Sequence, residues 1–110
     1  MKLPNASQAI ISKEKLIDYV LSETHSTGRF KAKFFRVLGF NKTNVSLFEK
    51  ALHTIVTHEE VKDISTTMYG TKYVIDGKIK TPSGKIVTIR TIWIIERDQN
   101  RPRFVTVYPV

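Results

Sequence analysis

The spacing of apolar residues changes once along this 110-residue chain, near residue 63, and that change limits what the chain can fold into. Before it, apolar residues recur at helical spacing; after it they alternate as in strands. Helices followed by strands predict an α+β fold. About three helices are expected over residues 12–60, then an antiparallel meander of three to four strands over residues 71–109, with the helices covering one face. No repeat, low-complexity tract or linker interrupts the chain, so residues 1–110 read as a single domain.

Local signals place the elements. Ser12 is an acceptable N-cap with Glu14 in the first turn, and Leu16, Tyr19 and Val20 share one face of a first helix that ends near Ser22. A second helix is predicted from about Thr27 to Leu38, with Gly39 as the left-handed residue that ends it and Phe40 folding back. A third follows the polar NKTN turn, with Val45, Phe48, Leu52, Ile55 and Val56 as one apolar stripe that frays near Thr57 to Glu60. From Thr71 the pattern is β: Tyr73, Ile75 and Ile79 alternate with Lys72, Asp76, Lys78 and Lys80. TPSGK reads as a hairpin turn, KIVTIRTIWIIE as a central strand, RDQNRP as a second turn and RFVTVY as the last strand.

Composition narrows the function classes. The chain has no cysteine, which excludes disulfides, thiolate chemistry and cysteine-type zinc sites. No apolar stretch suits a signal peptide or a bilayer span, so a cytoplasmic protein without a membrane is the default expectation; a secreted effector lacking its own signal would look the same. Eighteen Lys and Arg against ten Asp and Glu give a formal charge of +8, with +3 carried up to residue 63 and +5 after it. A positive field of this size draws in polyanions, nucleic acid above all; an acidic protein partner is the next reading, and solubility alone the blandest.

The second helix poses the sharpest question. At about 100° per residue, Arg29, Lys33 and Arg36 form a basic edge, and Phe30, Phe34, Val37 and Leu38 fall opposite, toward the core. Lys31 lies between Leu38 and Phe35, on the shoulder of the apolar arc. Two readings stand: its methylenes pack while the ammonium snorkels to water, or it lines a cleft where a cation meets a phosphate. His25 precedes the same helix, whose N-terminal N–H groups favour an anion. Arg90 and Thr91 interrupt an apolar strand, so one of them is expected to face a partly buried polar site. On the last strand, alternation puts Thr106 and Tyr108 on one face and Arg103 on the other, with an edge-guarding role for Arg103 as the bland alternative. Trp93 reads as core. His53, His58 and Glu59 lack the face-sharing of a metalloprotease motif, and no phosphate-loop, dinucleotide or nucleophile-elbow pattern is present, so neither metal nor cofactor is expected.

Taken together, His25, Gly28, Lys31, Ala32 and Phe35, then Leu38-Gly39-Phe40, Arg90-Thr91 with Trp93, and Pro102-Arg103 with Thr106 and Tyr108 resemble a bacterial domain-of-unknown-function family, number 6883. The opening KLPNA, Lys2 to Ala6, fits as well, and the resemblance runs from about residue 2 to 109. Domains of this family occur alone and as C-terminal modules of contact-dependent toxins. The resemblance therefore implies a toxin, and by fold analogy with barnase, EndoU, colicin-type and RelE-like nucleases a metal-independent ribonuclease. Its partners would be RNA and a small acidic antitoxin or immunity protein. Carried over by position, the catalytic candidates are His25, Lys31, Arg90, Thr91, Arg103 and Thr106, and the nucleic-acid-binding candidates are Arg29, Lys33, Arg36 and Tyr108. The family usually has proline after the histidine; this chain has Ser26, which leaves the pose of His25 less constrained.

The chemistry needs no cofactor. Metal-free RNA cleavage requires a base for the 2′-hydroxyl, cations for the phosphorane and a proton donor for the departing oxygen. A histidine with an ordinary pKa of about 6.5 suits the base or acid role. Lys31, Arg90 and Arg103 would supply charge, Thr91 or Thr106 a hydrogen bond, and Tyr108 a second acid. The rivals are a non-catalytic nucleic-acid-binding module and a protein-interaction domain of a two-gene toxin–antitoxin-like system. An enzyme acting on small phosphorylated ligands is more distant.

Overall fold

A computed structural model describes residues 1–20 and 29–110 of the chain, and the side chains of residues 1–18 and 33–110. The C-terminal half is a four-stranded antiparallel meander in the order β1-β2-β3-β4, comprising β1 (Asp63–Thr67), β2 (Gly70–Lys80), β3 (Ile86–Glu96) and β4 (Arg103–Pro109). Alternation decides which side chains meet the core: Tyr73, Ile75, Gly77 and Ile79 of β2 are buried, and Lys72, Lys78 and Lys80 between them are exposed. β2 and β3 pair along their full length, from Gly70↔Glu96 to Lys80↔Ile86. The TPSGK turn closes this hairpin with Gly84 at φ 91°, as its sequence predicts. β1 was not foreshadowed: Asp63–Thr67 is exposed at every position, without alternation, and pairing to β2 alone makes it a strand.

The helices precede the sheet and cover one face of it. A short first helix, α1 (Lys13–Lys15), starts at Ser12, whose hydroxyl accepts from the Lys15 N–H at 3.2 Å, and continues as a π-helical turn over Leu16–Val20. The second, α2 (Arg29–Val37), ends as expected at Gly39, φ 100°. Gly39 N–H bonds Arg36 O at 2.9 Å and Phe40 N–H bonds Phe35 O at 3.1 Å, the paired bonds of a Schellman end. The third, α3 (Val45–His58), follows a capping box formed by Asn41 and Asn44, and all five residues of its apolar stripe are buried. Lys2 Nζ donates to the carbonyl of His58 at 2.8 Å, satisfying an orphan acceptor at the end of α3.

The rotation of α2 differs from the sequence reading. Phe35 is fully buried and Leu38 is 5% exposed, whereas Val37, expected in the core, is 71% exposed. The reason is the aromatic cluster at the Schellman end: Phe35 and Phe40 both pack on Phe48, with ring centroids 4.9 and 4.5 Å away, and Phe34 meets Phe35 edge-on at 5.1 Å.

At the centre of the sheet Trp93 is fully buried and meets Phe104 at 5.5 Å. Its indole N–H donates to Thr91 Oγ1 at 2.8 Å, and Thr91 donates onward to Ile75 O at 2.7 Å. The N-terminal segment completes the core with Leu3 and Ala9 and then runs beside β4, where Ile10 N–H bonds Pro102 O at 2.8 Å and Phe104 N–H bonds Ile10 O at 2.9 Å. On the same face of the sheet, α3 approaches so closely at Gly77 that a Cβ there would lie 2.8 Å from Ile55 Cγ1.

Two substitutions test these contacts. Thr91→Val keeps the shape but leaves the buried Trp93 N–H without an acceptor, and is expected to cost about 1–3 kcal/mol in urea unfolding. Gly77→Ala, which forces Ile55 to move, is expected to cost about 1–3 kcal/mol as well. An unchanged midpoint for either variant would contradict the packing described.

Candidate functional site

The site begins with an irregularity in β4. Ile92 pairs with Thr106 and Trp93 with Phe104, so β4 carries one residue, Val105, more than β3. Strict alternation would send Arg103 to the face opposite Thr106 and Tyr108. With the bulge, Phe104 and Val107 both point into the core, and Arg103, Thr106 and Tyr108 all join Arg90 on the outward face. This corrects the expected placement of Arg103 and gathers four of the candidates on one surface.

Along that face Asp76, Arg90 and Tyr108 lie in register across β2, β3 and β4. Arg90 donates Nε to Asp76 Oδ1 at 2.8 Å and Nη2 to Oδ2 at 2.9 Å, a bidentate pair that is mostly shielded from water. Lys62 Nζ adds a contact to Asp76 Oδ2 at 3.1 Å. The Arg90 bond, supported by Lys62, holds the Asp76 carboxyl below its ordinary value of 3.8 despite partial burial. The Asp76 bond raises the pKa of Arg90 in turn, with a smaller contribution from a hydrogen bond to Tyr108. Beyond this row, Ile92 and Ile94 give the face an apolar middle.

At the other end Arg103 Nε donates to Glu96 Oε1 at 2.9 Å, with both side chains about half exposed. The bridge from Ile10 to Arg103 and the turn at Ser12 carry α1 back over this end. The Lys15 ammonium consequently titrates below its ordinary 10.5, first because it is partly buried and second because of the charge on Arg103. Neither Lys15 nor Asp76 stood out in the sequence. Lys15 is one of two lysines flanking Glu14, and Asp76 sits among solvent-facing lysines; only cross-strand pairing and the fold-back at Ile10 reveal them.

The other candidates fall elsewhere. Thr91 is fully buried on the core face, its proton committed to Ile75 O, and Arg90 beside it is the residue that faces the partly buried polar site. Lys33 lines a groove with Phe34, Val37, Leu38, Lys85 and Val87. Arg36 is partly buried and engaged by neighbours, as are Thr106 and Tyr108. His25, and the side chains of Arg29 and Lys31, lie outside the described residues. Among the described residues no His, Asp and Glu are grouped to hold a metal, and no helix is long and apolar enough to cross a membrane.

The family model described as a domain of unknown function (DUF6883) matches residues 2–110, and the chain belongs to that family. No curated protein matches the sequence. Among solved structures, a chain of the contact-dependent growth inhibition toxin–immunity protein complex from Klebsiella pneumoniae 342 shares the fold, with a TM-score of 0.73 at 19% identity over 92% of this chain and 99% of that one.

The Asp76–Arg90 pair makes stability depend on pH. Because the folded carboxyl titrates below 3.8, its contribution is complete above that value and is lost as pH falls through the folded pKa. Asp76→Asn is therefore expected to lower Tm by a few degrees near neutrality, with the gap to wild type closing as pH falls below 3.8 and through the folded pKa. Thermal melts from pH 2 to 7 test this; a gap that stays constant with pH would contradict it.

Proposed function

We propose that this chain is the toxin member of a bacterial toxin–immunity pair and acts as a metal-independent endoribonuclease. The observation that carries this reading is the clustering of Arg90, Arg103, Thr106 and Tyr108 on one outward face, with Lys15 near enough to feel the charge of Arg103. Partial burial first, and then the charge of Arg103, disfavour the charged form of Lys15, and an anion bound beside it would relieve both. Lys31 enters the proposal by its place in the family motif alone, since its side chain lies outside the described residues. The shared fold with a toxin–immunity complex supports the toxin-system part of the proposal, and the charge of +8 suits both RNA and an acidic neutralising partner.

In the proposed reaction His25 takes the proton of an RNA 2′-hydroxyl, and the oxygen attacks the adjacent phosphorus. The new 2′-O–P bond forms as the P–O5′ bond breaks, and Tyr108 or a water gives the 5′-oxygen its proton. The products are a 2′,3′-cyclic phosphate and a 5′-hydroxyl. Arg90, Arg103 and Lys31 stabilise the phosphorane charge, and Thr106 donates a hydrogen bond to it. A second reading, a non-catalytic module that grips RNA or a protein, draws on the fact that Arg90 and Arg103 already have carboxylate partners.

The test is incubation of the purified protein with total tRNA in EDTA. Wild type is expected to release fragments with cyclic-phosphate ends, and His25→Ala and Arg103→Ala each to slow this on the order of a hundredfold with melting unchanged. RNA that is bound in a salt-dependent way but stays intact, or that His25→Ala cuts at the wild-type rate, would sink the enzymatic reading in favour of the binding one.

A further inference from the structure

We propose that the groove between α2 and the β2–β3 hairpin is a docking site for an acidic amphipathic helix of a partner protein. The groove, about 500 Å³, is lined by Lys33, Phe34, Val37 and Leu38 of the helix end and by Lys85 and Val87 of the hairpin. It lies where the end of α2, at Val37, meets the hairpin beyond the Lys80↔Ile86 pair. Phe34 and Val87 are left half-buried, and Val37 is largely in solvent.

Both walls are fixed before any partner arrives. Ser83 N–H bonds Leu38 O at 3.0 Å, tying the turn to the end of α2. Gly39 passes Pro82 so closely that a Cβ on the glycine would lie 2.8 Å from Pro82 Cβ. Within the turn Thr81 Oγ1 lies 2.9 Å from Ser83 Oγ and donates to Lys85 O at 2.8 Å. A preformed groove costs little ordering on binding.

The lining selects the occupant. It is apolar except for two lysines, one on each wall, and carries no acidic side chain. That pattern fits a helix with an apolar stripe flanked by carboxylates. A second copy of this chain, itself +8, is disfavoured by like charge, and the mostly aliphatic floor offers no broad aromatic platform for nucleic-acid bases. Val87 belongs to the core side of β3, opposite Arg90, so docking here leaves the Asp76–Arg90–Tyr108 row uncovered. The inference therefore stands or falls independently of the ribonuclease reading.

The experiment is an amide NMR titration of the full chain with a synthetic helical peptide of about four turns, carrying leucines at i, i+3, i+4 and i+7 and glutamates elsewhere. Shifts are expected at residues 33–38 and 85–87. The exposed-site variants Val37→Asp and Lys33→Glu with Lys85→Glu are expected to weaken binding about tenfold or more without changing the melt. No shifts at millimolar peptide, shifts centred on Arg90 and Arg103, or equal binding of the same peptide with lysine in place of glutamate would each overturn the proposal.

Discussion

A single extra residue in β4 determines which side chains share the outward face. Val105 lets Phe104 and Val107 both enter the core, and the burial of these two side chains, with Trp93 edge-on to Phe104, holds the bulge in place. Without it, Arg103 would point to the core side, where a charge has no partner and no water. The polar surface thus depends on the apolar one behind it. Its most buried hydrogen bonds, from Trp93 to Thr91 to Ile75, fix the central strand from which Arg90 projects on the other side.

The outward face is neither a bare cationic patch nor a neutral one. Asp76 occupies two donors of Arg90 and Glu96 one of Arg103, which orients both guanidinium groups at the expense of some of their free charge. Lys15 tips the balance back toward positive at the Arg103 end, where partial burial makes its charge harder to accommodate without an anion. Any anion that binds this surface, a phosphodiester included, has to compete with Asp76 and Glu96 for these arginines or use their remaining donors. The lysine-flanked groove at the hairpin end has the opposite character: an apolar floor and free ammonium groups, suited to an amphipathic acidic helix.

Much of this architecture is legible in the sequence. The change of period separates helices from strands, the stripe of α3 is buried residue for residue, and Gly39 and Gly84 mark a helix end and a turn by their positive φ. What escapes is whatever depends on pairing across the fold. β1 lacks alternation because, among the described residues, nothing covers either of its faces, so the pattern has no reason to alternate. The wheel of α2 contains more apolar residues than the core accepts, and the choice of Phe35 over Val37 is made by Phe48 and Phe40, two other elements of the chain. A bulge leaves no mark on alternation that a solvent-exposed valine would not also leave. Thr91 is a site candidate by its place in the family motif, but its hydroxyl accepts from Trp93, two residues on, and donates to Ile75 O.

The central claim is that RNA lies along the outward face of the sheet. It is tested most directly by titrating the isotope-labelled chain with a 2′-O-methyl oligoribonucleotide, which lacks the attacking hydroxyl and therefore stays bound uncut. The account predicts that the amide and side-chain resonances of Arg90, Arg103, Thr106 and Tyr108, together with Lys15, move as one group, and that the movement fades as salt is raised. Perturbations confined to the exposed lysines of the β2–β3 hairpin, with Arg90 and Arg103 unmoved at saturation, would contradict it.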